Sequence, residues 1–216
     1  MFETFIDDTQ TFLKTLARNN KRDWFLEHKA TYDTKLRAPA LAILDEMAPR
    51  LTTLTGYPIS TKLFRANRDV RFSKDKTPYH TRLYMMWMVE TGTRQNPAFY
   101  FGTEMDAAGI GTGMREFTKD VLMDWRKMAD LDGAYLSSKI KELDGKGYVV
   151  REPALKRVPA PFNKDHPYGD LLRHKGLVAF GHPTFTGDLI AALETAFTDL
   201  WPLSDMLIGV AETPTL

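Results

Sequence analysis

The hydrophobic period of this chain changes twice, from helical to extended and back, and few fold classes accept that order. Across residues 3–18, Phe5, Ile6, Phe12, Leu13, Leu16 and Ala17 fall on one face at helical spacing, which predicts an amphipathic helix. Asn19-Asn20 ends it and offers Asn20 as the next N-cap, with Asp23 in the first turn. Trp24, Phe25, His28 and Leu36 mark a second helix. Pro39 starts a third, whose buried stripe is Leu41, Leu44, Met47, Ala48 and Leu51, and Gly56 suits the C′ position that closes it. The middle reads differently. Leu83–Val89, Ala98–Met105 and Gly109–Met114 are β-rich runs separated by turn formers, as in an antiparallel meander, with a shorter strand expected around Thr61–Arg65. Helical spacing returns at Val121, Leu122, Trp125 and Met128, and resumes after Asp132-Gly133 at Tyr135, Leu136, Ile140 and Leu143. Residues 145–183 are irregular, with one more strand at Leu177–Phe180. A last helix runs from Leu189 to Trp201, where Pro202 breaks or kinks it.

Helices, then a sheet, then helices is an α+β order. No internal repeat or long polar linker divides the 216 residues, a length that suits one domain. The expected architecture is therefore a single α+β domain over residues 1–216, an antiparallel sheet flanked by N-terminal and C-terminal helices. A hydrophobic share of 43% and a charged share of 26% exclude a disordered tail or a fibrous repeat. The absence of cysteine removes disulfides, thiolate nucleophiles and Cys-based metal sites. The N-terminus carries acids where a signal peptide wants bases, and Leu83–Val89, the longest apolar run, is far short of the ~20 residues of a membrane helix. A cytoplasmic protein without membrane association is expected.

Charge is nearly balanced, with 29 Lys+Arg against 28 Asp+Glu, but it is unevenly distributed. Thr61–Arg82 holds seven basic residues against Asp69 and Asp75, and Arg151–Lys175 holds six against three acids. Two basic islands sit in an acidic body, and a local excess of one sign attracts anions more than total charge does. In the first island, Arg65, Arg68 and Arg71 offer planar forks suited to phosphate or carboxylate, and Lys74 and Lys76 add compact charges. Tyr79 supplies an aromatic surface, and Asp69 and Asp75 are expected to pair with neighbouring bases and hold them in place. Two readings stand for this segment: an anion site, or an internal salt-bridge network that pins a loop. Replacing Asp69 should destabilise the domain if its pair is buried and hardly at all if the pair is exposed.

In the second island, Lys164-Asp165-His166 invites acid/base chemistry, with Asp165 and His166 as the weak catalytic candidates and Lys164 as an anion contact. The competing reading is a proline-bounded turn whose polar side chains cap the backbone. Gly109, Gly111 and Gly113 alternate without the spacing of a phosphate loop, so they mark a strand face where something packs closely. The five histidines never fall at i,i+3 or i,i+4, and no metal site or cofactor is expected.

Leu63-Phe64-Arg65 followed by Arg68-Asp69-Val70-Arg71-Phe72-Ser73-Lys74-Asp75-Lys76-Thr77-Pro78-Tyr79 resembles the signature of a family of bacterial and fungal conserved hypothetical proteins, domain of unknown function 2461. Asn19-Asn20-Lys21-Arg22-Asp23-Trp24-Phe25, Phe99-Tyr100-Phe101, Gly109-Ile110-Gly111, Phe162-Asn163-Lys164-Asp165-His166-Pro167 and Trp201-Pro202-Leu203-Ser204-Asp205 are similar too. The resemblance spans nearly the whole chain and implies one domain, but it implies no activity and no catalytic residues. Where members often carry a basic residue after the tyrosine, this chain has His80. The function expected from the residues is binding of a small phosphate- or carboxylate-bearing molecule in an Arg/Lys-lined cleft, where the two basic islands meet. The alternatives are an enzyme acting on such an anion and a nucleic-acid binder. The acidic remainder opposes a long polyanion, so nucleic acid is not an expected partner.

Overall fold

A computed structural model describes residues 2–212. The N-terminal helices are α1 (Phe5–Arg18), α2 (Arg22–Glu27), α3 (Lys29–Thr31) and α4 (Ala38–Thr55), with a π-helical turn, Tyr32–Arg37, running directly into α4. The expected second helix is thus subdivided, and Leu36 lies on the π turn, fully buried. Pro39 accounts for the change of hydrogen bonding. It has no N–H for the carbonyl four residues back, and the Ala38 N–H reaches five residues back to Asp33 O. Gly56 closes α4 in the left-handed conformation at φ 76°, its N–H donating to Thr52 O.

Asn20 is not the N-cap of α2; Lys21 holds that position with no side-chain cap bond. The Asn20 amide grips the backbone of Tyr79 instead. Its Nδ2 donates to Tyr79 O at 2.8 Å and its Oδ1 accepts the Tyr79 N–H at 3.0 Å. A primary amide carries both a donor and an acceptor, so it can satisfy one residue's N–H and C=O together. That demand, 59 residues away in sequence, outcompeted the local cap.

The sheet consists of β1 (Ile59–Leu63), β2 (Arg82–Val89), β3 (Ala98–Glu104), β4 (Ala108–Met114), β5 (Val149–Val150) and β6 (Leu177–Gly181). Their order is β1-β2-β3-β4-β6-β5, antiparallel throughout. In β2, Leu83, Met85, Trp87 and Val89 are buried, while Arg82, Tyr84, Met86 and Met88 on the opposite face are exposed or half-buried. This two-residue alternation is the mark of a sheet covered on one side. The Trp87 indole donates to Leu44 O of α4 at 3.1 Å, and its ring meets Phe197 edge-on. The glycines of β4 serve close packing. A Cβ on Gly111 would lie 2.6 Å from Ala179 O, and one on Gly109 would lie 3.0 Å from the His182 ring. They let β6 and the residue after it lie close along β4, the tight packing that their spacing predicts.

The two helical patterns after Val121 make up α5 (Lys119–Asp144), two helical stretches that meet at a kink where Asp132 leaves helical angles at φ −141°, ψ 48°, the break expected at Asp132-Gly133. Gly133 follows because the Tyr168 ring sits there, 2.2 Å from where a Cβ would be. After the short α6 (Gly169–Leu172), α7 (Leu189–Glu212) passes through Pro202 rather than ending at it. Buried Leu203, Met206, Leu207 and Val210 hold the last turns against the core, which offsets the lost backbone bond.

Arg94, between β2 and β3, ties these parts together. Its Nε donates to Ala211 O at 2.9 Å and an Nη to Val210 O at 3.2 Å, at the C-terminal end of α7. Another Nη lies 2.7 Å from Oδ2 of Asp124 in α5, whose side chain is only 4% exposed. Breaking a buried pair from one side leaves an uncompensated charge, at a cost of about 3–5 kcal/mol. Asp124→Asn should therefore lower the melting temperature by about 10 °C, measured by calorimetry. A shift under about 2 °C would show that solvent compensates the pair.

Candidate functional site

The first basic island forms the long β1–β2 connection, and it is braced from within. Arg68 donates to Asp75 at 2.5 Å, to the Thr77 carbonyl at 3.1 Å and to the Thr77 hydroxyl. Arg71 makes a two-point contact with Asp69, Nε at 3.0 Å and Nη at 2.6 Å. The Lys76 ammonium donates to Val70 O at 3.0 Å and to Arg71 O at 3.5 Å. Tyr79 is buried, stacked on Phe25 at 4.0 Å between ring centroids and held by Asn20. Both carboxylates are paired, as expected, and the Asp69–Arg71 pair is exposed on both sides. The Thr77 N–H and hydroxyl together with Arg68 hold the Asp75 carboxyl down at about 2. Arg71 holds the Asp69 carboxyl below the usual range.

Arg65 and Lys74 remain exposed, with no carboxylate within salt-bridge distance among the described residues. His80 donates its backbone N–H to Ala66 O at 2.7 Å. Partial burial, then repulsion from Arg82, Arg68 and Arg65, pushes its imidazole below the usual histidine range.

The second island lines an open trough of about 1200 Å³, walled by the end of α5, β5 and the chain through α6. Lys141, Arg151, Lys156, Arg157, Lys164 and Arg173 face three carboxylates, Asp144, Glu152 and Asp170. Arg173 is paired with Asp170, and Lys164 stands 3.8 Å from Asp165. Lys141, Arg151, Lys156 and Arg157 have no acid within 4.0 Å among the described residues. Tyr148, Tyr168 and His174 supply ring surface. Burial pushes the His174 imidazole below the usual range, against a backbone hydrogen bond with Gly176, so it is a neutral part of the wall.

Asp165 and His166, neighbours in sequence, are held by different partners. The Asp165 N–H closes a turn onto the Asn163 side chain at 3.0 Å, and its carboxylate is exposed. His166 Nδ1 accepts the Tyr168 N–H at 3.1 Å, which leaves the ring proton on Nε2, 3.0 Å from Asp130 Oδ1 of α5. Both ring nitrogens are thus engaged in fixing the turn.

The two islands do not meet. The Arg65–Lys76 connection leaves β1, at one edge of the sheet, whereas the trough borders β5, at the other edge. Of the predicted contacts, Lys164 and His166 line the trough; Arg65, Arg68, Arg71, Lys74, Lys76 and Tyr79 do not. Lys141, Arg151, Lys156, Arg157, Asp130 and His174 were missed as site residues, although Arg151, Lys156 and Arg157 were visible as part of the second basic island. Only the fold brings α5 alongside residues 150–174, and no spacing signals it.

Fold and trough together define a class: a single α+β domain with helices packed on one face of an antiparallel sheet and a cationic trough at its β5 edge. The chain belongs to the family described as "Conserved hypothetical protein (DUF2461)", which it matches over residues 8–205. No curated protein matches it.

The Asp75 contacts set a pH dependence. A carboxyl whose folded value is depressed contributes stability that is present above the unfolded value of about 3.9 and lost as pH falls through the folded value. The melting-temperature advantage of the wild type over Asp75→Asn should be full at pH 5 and shrink between about pH 4 and pH 2. An advantage that does not change with pH would show that the carboxyl contributes nothing through its charge.

Proposed function

We propose that this protein binds a small phosphate- or carboxylate-bearing molecule in the trough between α5 and residues 150–174. The observation that carries the reading is the set of four cations, Lys141, Arg151, Lys156 and Arg157, that line a concave site without an acidic partner. Cations not neutralised internally, gathered in a cleft with low-dielectric walls, focus a positive field on whatever enters. Arginine adds the planar fork that matches an oxyanion. The β1–β2 connection supports the reading less, because its own acids and carbonyls engage Arg68, Arg71 and Lys76. The catalytic alternative has less support as well, since both ring nitrogens of His166 are taken.

The test is a thermal-shift titration with inorganic pyrophosphate and with citrate, against chloride at matched ionic strength. A ligand at about a hundred times its Kd adds about 2.7 kcal/mol, which should raise the melting temperature by about 5 °C or more. The triple variant Arg151→Ala, Lys156→Ala, Arg157→Ala, all at exposed positions, should keep its fold and lose the shift. Arg71→Ala should retain it. No shift with either anion at about 10 mM, or an unchanged response in the triple variant, would overturn the reading.

A further inference from the structure

The trough leaves the β1–β2 ribbon unexplained, and the ribbon has its own surface chemistry. Its tip presents Phe72 with 96% of its area exposed. A phenylalanine so bare on a floppy loop is unremarkable, but this loop is pinned by the Arg68–Asp75–Thr77 contacts, by Lys76 on the carbonyls of Val70 and Arg71, and by the Ser73 N–H on Val70 O. The ring is therefore held out in a fixed position. Lower on the ribbon, Phe64 is 38% exposed and stands in register with Tyr84, whose carbonyl accepts the Phe64 N–H at 2.9 Å.

Each of these rings carries a cation. Lys62 lies over Phe64 at 5.0 Å, Arg82 over Tyr84 at 5.0 Å, and Arg71 beside Phe72 at 5.9 Å. Lys62 and Arg82 have no acid within 4.0 Å among the described residues, and the same holds for nearby Arg65 and Lys74. Rings thus share this ribbon with cations that lack an acidic partner, Lys62, Arg65, Lys74 and Arg82.

We infer that this ribbon binds a short single strand of nucleic acid, with bases stacking on Phe72 and Phe64 and phosphates meeting Lys62, Arg65 and Lys74. Every base offers a π-face to an aromatic ring, and the backbone supplies one negative charge per nucleotide, so rings together with cations suit a single strand without regard to sequence. A duplex offers no free base faces. The acidic body of the chain, which opposes a long rod of charge, leaves room for a few nucleotides on the ribbon. The inference does not depend on the trough.

Fluorescence anisotropy of a labelled twelve-nucleotide oligo(dT), titrated with the full chain at rising salt, tests it. Expected is saturable binding that exceeds binding to a duplex of equal length. Three phosphates neutralised on a single strand give a log–log salt slope of about −2. Phe72→Ala removes a ring that supports no packing, so the fold is safe, and it should weaken binding about tenfold. Lys62→Ala should make the slope shallower by about 0.7. The trough triple variant should bind as the wild type does. No anisotropy change at about 100 μM protein in low salt overturns the proposal, as does equal affinity for duplex or an unaltered Phe72→Ala. Sedimentation with phosphatidylserine vesicles in the absence of oligonucleotide binding would assign the ribbon to a membrane surface instead.

Discussion

Asp124, the one buried carboxylate among the described residues, helps to decide where α5 can lie. Taking a charge out of water is costly unless a partner is waiting; the partners here are Lys127, 3.4 Å away, and Arg94 at 2.7 Å, itself anchored on the last carbonyls of α7. The consequence is geometric. With α5 fixed against α7, its kink at Asp132 falls where the Tyr168 ring can seat on Gly133. Asp130, two residues before the kink, then reaches His166 Nε2 and holds the turn that carries Lys164. The trough wall thus follows from the packing of α5, to which this ion pair and buried Val121, Trp125, Ala129 and Leu136 all contribute.

The two basic islands look alike in composition and differ in electrostatic state. In the β1–β2 connection the acids stand two or seven residues from the arginines they neutralise, Asp69 beside Arg71 and Asp75 facing Arg68. Local pairs of that kind stiffen a loop and consume its charge. In the trough, Lys141, Arg151, Lys156 and Arg157 lie exposed, while Asp170 is occupied by Arg173. Charge that has no internal partner is the charge available to a ligand. The stiffened loop holds its bare ring, Phe72, in a fixed position on the surface.

Much of the fold was legible because it rests on periodicity. Trp125 and Leu136, on one helical face, Leu83 to Val89, alternating in β2, and the glycines of β4 all report their neighbours through local spacing. The failures share a cause, which is a demand made from far along the chain. Asn20 left its helix cap for the peptide of Tyr79, and of the two outcomes open at Pro202 the helix did not break there, because the residues beyond it are buried. The candidate site was half legible: the basic island at Arg151–Lys175 was visible as composition, whereas its separation from Arg65–Lys76 follows only from strand order, with β1 and β5 at opposite edges. Asp130 gave no signal, since a lone acid on a helix is ordinary until a histidine arrives beside it.

The central claim, that uncompensated cations make the trough the anion site, is tested most directly by locating an electron-dense oxyanion. Crystals soaked in tungstate and measured at the tungsten edge should show the strongest anomalous peak in the trough, within contact of Arg151, Lys156 or Arg157. A strongest peak on the β1–β2 connection, against Arg68 or Arg71, would contradict the account. It would mean that the internal carboxylates do not consume the charge there.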